Sequence, residues 1–150
     1  MSLFRLFIIS MFVVAISGAA DAPAFAASSE HKVAIHVDEN DAKRMNMALN
    51  NAANINKYYE AKGEKVLIEI VAYGPGLHML REDTSPVKSR IATMSMELSN
   101  LSFAACGNTH KMMSKKAGKD VKLVSEANKV PSGVVRLMEL QERGWTYIRP

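Results

Sequence analysis

The sequence predicts a three-layer α/β/α fold built on a mostly parallel five-stranded sheet. Three observations point there. Short runs rich in Val, Ile and aromatic residues alternate with longer stretches whose apolar residues recur at three- and four-residue steps, the pattern of strands and amphipathic helices in turn. The strand-like runs are almost continuously apolar, as strands covered on both faces are. Gly, Pro, Asn and Asp fall between the two kinds of segment, where turns and helix caps need them.

Residues 32–37 (KVAIHV) are the first predicted strand. Asp38, Glu39, Asn40 and Asp41 supply turn chemistry, and Asn40 or Asp41 caps the helix that follows. Across 42–62, Met45, Ala48, Leu49, Ala52, Ala53, Ile55 and Tyr59 trace one buried helical face, closed by Gly63. Residues 65–73 form the second strand, Gly74-Pro75-Gly76 breaks it, and 77–80 form one helical turn. Ser85-Pro86 starts a helix with a cap and then proline at the first helical position. Its inner face is Val87, Ile91, Met94 and Leu98, and Asn100 ends it. Residues 101–106 are the third strand, and a helix over about 109–116 stops at Gly118. Residues 121–124 read as the fourth strand. Ser132 caps a last helix that presents Val134, Leu137, Met138 and Leu140, Gly144 closes it, and 145–148 form the fifth strand.

Residues 1–26 have a different character. Arg5 precedes an apolar run over 6–20, and Ala24-Phe25-Ala26 supplies a small-residue cleavage site. That is the pattern of a secretory signal peptide, and the run falls short of the roughly 20 apolar residues of a membrane span. The expected mature protein is one domain over 27–150, periplasmic and free of the membrane after cleavage. A chain of that length buries a core without a metal or disulfide staple. The single cysteine, Cys106, excludes an intramolecular disulfide. The formal charge is +4, but Lys and Arg are interspersed with Asp and Glu and never form a run of five, so nucleic acid is not an expected partner.

In an open parallel sheet, ligand groups gather beyond the carboxyl ends of the strands. Those ends carry His36 to Asn40, Tyr73 to Gly76, Cys106 to His110, and Asn128 to Ser132. Cys106 is the sharpest feature, because a thiol at a strand-to-helix junction faces unpaired N–H groups and the positive end of a helix dipole. Gly107 lets backbone or substrate approach closely. His110, four residues on, is the candidate base, and Asn108 and Thr109 are candidate partners of the thiol. His36, Asn40, Asn51, Tyr73 and Gly74 are candidate pocket residues. The ten methionines raise a Cu(I) reading, but in Met45-Asn46-Met47 and Met94-Ser95-Met96 the paired sulfurs point to nearly opposite sides of a helix. Met45 and Met94 lie on apolar stripes and are read as core. No C-x-x-C, H-E-x-x-H, P-loop or G-x-S-x-G motif occurs, so no metal and no cofactor is expected.

The segments HVDEND (36–41), LNNAAN (49–54), YGPG (73–76), ACGNT (105–109) and VPSGVV (130–135), with the ending LQERGWTYIRP (140–150), resemble the DsrE-like family, in its small exported branch. The resemblance covers roughly residues 32–150. It implies a five-stranded α/β/α fold, assembly into trimers or hexamers, and a link to sulfur metabolism. In sulfur-relay members a cysteine at the end of a central strand accepts sulfane sulfur as a persulfide and passes it on, and Cys106 matches that position. Relay members follow the cysteine with small or apolar residues and a basic Arg-Gly turn; here Gly107-Asn108-Thr109-His110 stands instead. Two readings follow. In the first, Cys106 carries persulfide or reacts with a small sulfur compound or a sulfur-transfer protein. In the second, a non-catalytic oligomer binds a small molecule or partner at the strand ends, and Cys106 only packs.

Overall fold

Every neighbouring pair in the sheet is parallel. The computed structural model describes residues 30–150, and the expected signal peptide lies outside the described residues. The strands are β1 (Glu30–Val37), β2 (Lys65–Ala72), β3 (Leu101–Cys106), β4 (Ala127–Val130) and β5 (Thr146–Ile148), in the spatial order β4-β3-β2-β1-β5. The helices are α1 (Ala42–Ala61), α2 (Lys88–Glu97), α3 (Gly107–Ala117) and α4 (Gly133–Glu142), with a 3-10 helix over Gly74–Leu80. The three-layer α/β/α expectation holds, with a sheet that is parallel throughout.

The helical layers are unequal. Val33, Ile35 and Val37 of β1, Ile68 and Ile70 of β2 and Phe103 of β3 bury against Met45, Leu49 and Ala52 of α1 and Ile91 and Met94 of α2. Met113 of α3 joins the edge of the same cluster. On the opposite face Ala34, Val71 and Ala104 meet Leu137 and Leu140 of α4, with Tyr73, Val130 and Trp145 packed around them. Small side chains at 34 and 104 let that single helix lie close to the strands. Right-handed crossovers explain the arrangement. The chain steps from β1 to β2, β3 and β4 in one direction, with its connecting helices on one face. It then returns past β1 to β5, and the same handedness places α4 on the other face.

Met45 and Met94 are buried in the core, as their stripes predict. Asp41 is the cap of α1 and accepts hydrogen bonds from the N–H groups of Lys43 and Arg44. Three expectations need correction. The fourth strand is Ala127–Val130. Residues 121–124 instead lie antiparallel beside the end of the 3-10 helix, with the Val124 N–H donating to Leu80 O and the Glu82 N–H to Lys122 O (both 2.9 Å). Both stretches can bury valines, and the polar Asn128 and Lys129 suit an edge strand, so local pattern did not separate them. The helix expected at Ser85-Pro86 begins at Lys88, because Ser85 bonds the Met79 carbonyl and the Val87 N–H and shapes a turn. Finally, Val134 and Met138 of α4 are exposed (52% and 56%), since the helix turns its Leu137 and Leu140 side to the sheet.

Glu69 of β2 is buried beneath α4 and takes both nitrogens of the Arg136 fork, Nε and Nη2, at 2.7 Å each. The pair fixes the position of α4, the one helix on that face among the described residues. Arg136→Met should cost about 3–5 kcal/mol in urea unfolding, because it leaves the carboxylate buried without a counter-charge. The double variant Glu69→Leu/Arg136→Met should recover most of that loss; no recovery would show that the loss does not come from the orphaned carboxylate.

Candidate functional site

The crossover pattern creates one place where adjacent strand ends send the chain to opposite sides of the sheet. β3 leads into α3 on one face and β4 into α4 on the other, and such a switch point is where open α/β sheets bind ligands. Cys106, the last residue of β3, stands there. It is also the cap of α3, a helix that begins at Gly107, two residues earlier than the sequence suggests. The sulfur therefore sits directly against the first helical amides.

Cys106 is 5% exposed. Burial pushes its thiol pKa up, but the hydroxyl and N–H of Thr109, with smaller favourable contributions from the nearby Gly133 and Asn108 amides, outweigh burial, so it lies below the usual 9.0. The Thr109 N–H lies 3.5 Å from Sγ. The Thr109 hydroxyl in turn accepts the Gly74 N–H at 2.9 Å, which holds that side chain in place near the sulfur. Gly74 has φ of +53°, a conformation that favours glycine, and its aim at Thr109 depends on it. Gly133 contributes the second helix start. A Cβ there would stand 2.8 Å from Tyr73 Cβ and 3.2 Å from Cys106 Cβ, and one on Gly107 would stand 2.9 Å from Val130 O. Only bare backbone allows both helices to close on the thiol.

Tyr73 follows the Ala72–Ala105 pair of the β2–β3 register and so lies beside Cys106. Its ring stacks on His36, with centroids 4.5 Å apart and an interplanar angle of 21°. His36 is 4% exposed, and its Nδ1 is 2.7 Å from the Tyr147 hydroxyl. Burial lowers its pKa below 6.5; Asp38 opposes this and Arg149 adds to it.

The structure thus brings together Tyr73, Gly74, Cys106, Gly107, Asn108 and Thr109, with His36 one ring away. It does not bring in the others. His110 is buried with Nε2 2.7 Å from the Val121 carbonyl, so that nitrogen serves the 121–124 segment, not the thiol. Asn40 is exposed in the turn after β1. Asn51 lies midway along α1, about 14 Å from the helix start at 1.5 Å per residue, below the strand ends. Sequence reading did not single out Gly133 as a site residue, although a glycine immediately after a Ser cap was the available signal. Beside the thiol, a cleft of about 640 Å³ opens between α3 and β4, lined by Gly107, Asn108, Lys111 and Lys129 among others; Cys106 does not line it. Among the described residues no group of three or more His, Cys, Asp or Glu side chains is placed to hold a metal ion.

Fold and site together define an all-parallel α/β/α protein with a hydrogen-bonded cysteine at its switch point. No protein-family model matches the chain, and no curated protein matches it. Among solved structures it is similar to the protein of unknown function MTH1491 from Methanobacterium thermoautotrophicum. The two are 32% identical with a TM-score of 0.64, over 80% of this chain and 99% of that one. The chain belongs to the same family as that archaeal protein.

Thr109→Val removes the hydroxyl and leaves the backbone amides alone to oppose burial, so the midpoint of thiol alkylation against pH should move up toward 9.0. The sign for stability follows. A depressed folded pKa contributes stability at pH above the unfolded value, and this is lost as pH falls through the folded one. The wild-type advantage over Thr109→Val should therefore widen on raising the pH through that window. Unchanged alkylation midpoints would show that the Thr109 hydroxyl does not stabilise the thiolate.

Proposed function

We propose that this is an exported, DsrE-like sulfur-handling protein in which the Cys106 thiolate accepts sulfane sulfur from a small donor. The observation that carries the reading is the position of Sγ at the start of α3, where the Thr109 N–H points at it, with the glycine that opens α4 packed against the same residue. Thiolate is the attacking form in sulfur exchange, and this arrangement favours it. The step is redox-neutral. The Cys106 thiolate attacks the outer sulfur of a donor R–S–SH, a new S–S bond forms, the old one breaks, and R–S⁻ leaves with its electron pair. Cys106 becomes Cys–S–SH, whose terminal sulfur can pass to a second thiolate by the same exchange. With Cys106 5% exposed, the donor is small. His110 is not needed as a base, because the hydrogen bonds already favour the ionised thiol.

Whole-protein mass measured after incubation with polysulfide should show additions of single sulfur atoms, removed by dithiothreitol and missing in Cys106→Ser. An unmodified wild-type mass would reject the reading. The burial of Cys106 favours a second reading, a binding protein whose cysteine packs. Small-reagent alkylation of native and urea-unfolded protein separates the two: labelling only after unfolding supports the packing role.

We further propose that the protein works as a homo-oligomer, a trimer or hexamer. The support is the thin α4 layer, which leaves Val134, Val135, Met138 and Tyr147 exposed along one face, a set larger than scattered surface apolars. Sedimentation should give a multiple of the protomer mass, and Met138→Lys should shift it toward the monomer. A wild-type monomer at micromolar concentration would overturn the assembly.

A further inference from the structure

His36 Nε2 is buried and has no hydrogen-bond partner among the described residues. Its other nitrogen is satisfied by Tyr147 and its ring face by Tyr73, so the side chain is held with Nε2 in a fixed direction. Buried polar atoms are almost always paired, with protein or with ordered water. The acidic oxygen facing Nε2 is Asp38 Oδ2, 3.9 Å away, beyond direct hydrogen-bond reach but within the span of a bridging water. A small cavity of about 10 Å³ lies at this point, lined by His36, Val37, Asp38, Glu39, Arg44 and Pro150. That volume is close to what a single water occupies when measured by probe, and Asp38, Glu39 and Arg44 are among the residues that bound it.

We propose that this cavity is a binding site for one ordered water, which bridges His36 Nε2 to the Asp38 carboxylate. The neighbouring charges also determine where the imidazole proton sits. Arg149 holds Asp38 from Nε and Nη2 at 3.0 Å each and keeps it ionised. Its negative charge favours an N–H on the ring nitrogen that faces it. Burial disfavours the charged ring, so His36 is neutral with its proton on Nε2, and Tyr147 donates its hydroxyl proton to Nδ1. The chain of donors then runs one way, from Tyr147 O–H to Nδ1, from Nε2–H to the water, and from the water to Asp38. It ties the ends of β1 and β5 to the Asp38–Arg149 pair and gives Tyr73 a fixed surface to stack on. None of this depends on the chemistry of Cys106.

Two measurements on the wild-type protein test the site, so no variant has to fold. A crystal structure that resolves ordered solvent should show one water within hydrogen-bond distance of both His36 Nε2 and Asp38. Long-range proton–nitrogen correlation at neutral pH should report His36 as the neutral Nε2–H form. A dry cavity, or Nε2 moved into direct contact with Asp38, would overturn the hydration site. A proton on Nδ1 would overturn the donor chain derived from it.

Discussion

The handedness of strand-to-strand crossovers is the constraint on which the rest of this structure depends. A right-handed connection between parallel strands fixes the face on which each helix lies once the strand order is given. Three steps in one direction put α1, α2 and α3 together, and the single return step puts α4 alone on the other side. The switch point between β3 and β4 then follows from geometry. It makes two helix starts converge on one residue, and that residue is Cys106.

Two opposing effects meet at the sulfur. Taking a thiol out of water disfavours its ionised form, whereas donors that point at it favour that form. Donors from two segments, Thr109 with Asn108 at the start of α3 and Gly133 at the start of α4, are enough here to reverse the effect of burial. The donors reach the sulfur because Gly107 and Gly133 carry no Cβ, and because Gly74 can adopt the positive φ that directs its N–H at the Thr109 hydroxyl. Glycine placement thus acts on thiol chemistry through the distance of backbone approach. The same packing makes the site narrow, so the features that would activate the thiol also restrict what it meets.

The unequal layers have a second consequence. One helix cannot cover five strands, and the fold compensates at the centre with a charge pair and at the periphery hardly at all. Glu69 under α4 would be costly without the Arg136 fork, and with it α4 has one defined seat. Beyond that seat Val134, Val135 and Met138 remain in water. Near the β1 and β5 ends, His36, Tyr73 and Tyr147 form a stacked and hydrogen-bonded group instead of a packed aliphatic layer.

The sequence by itself determined the fold class, the order of elements, the buried stripe of α1 and the placement of Cys106 at a strand-to-helix junction. These are periodic or local properties: Met45, Leu49 and Ala52 face the core because 3.6 residues make a turn, and Gly after Cys is visible without coordinates. Only the tertiary structure decided which of two valine-bearing stretches became β4, that Val134 and Met138 face water, and that His110 serves Val121 and not the thiol. It alone brought Gly133 to Cys106 and Arg149 to Asp38, across 27 and 111 positions of chain. The physical reason is that pairing partners, helix layer thickness and donor convergence are set by what lies across the sheet. A residue's own neighbours in sequence carry no record of that.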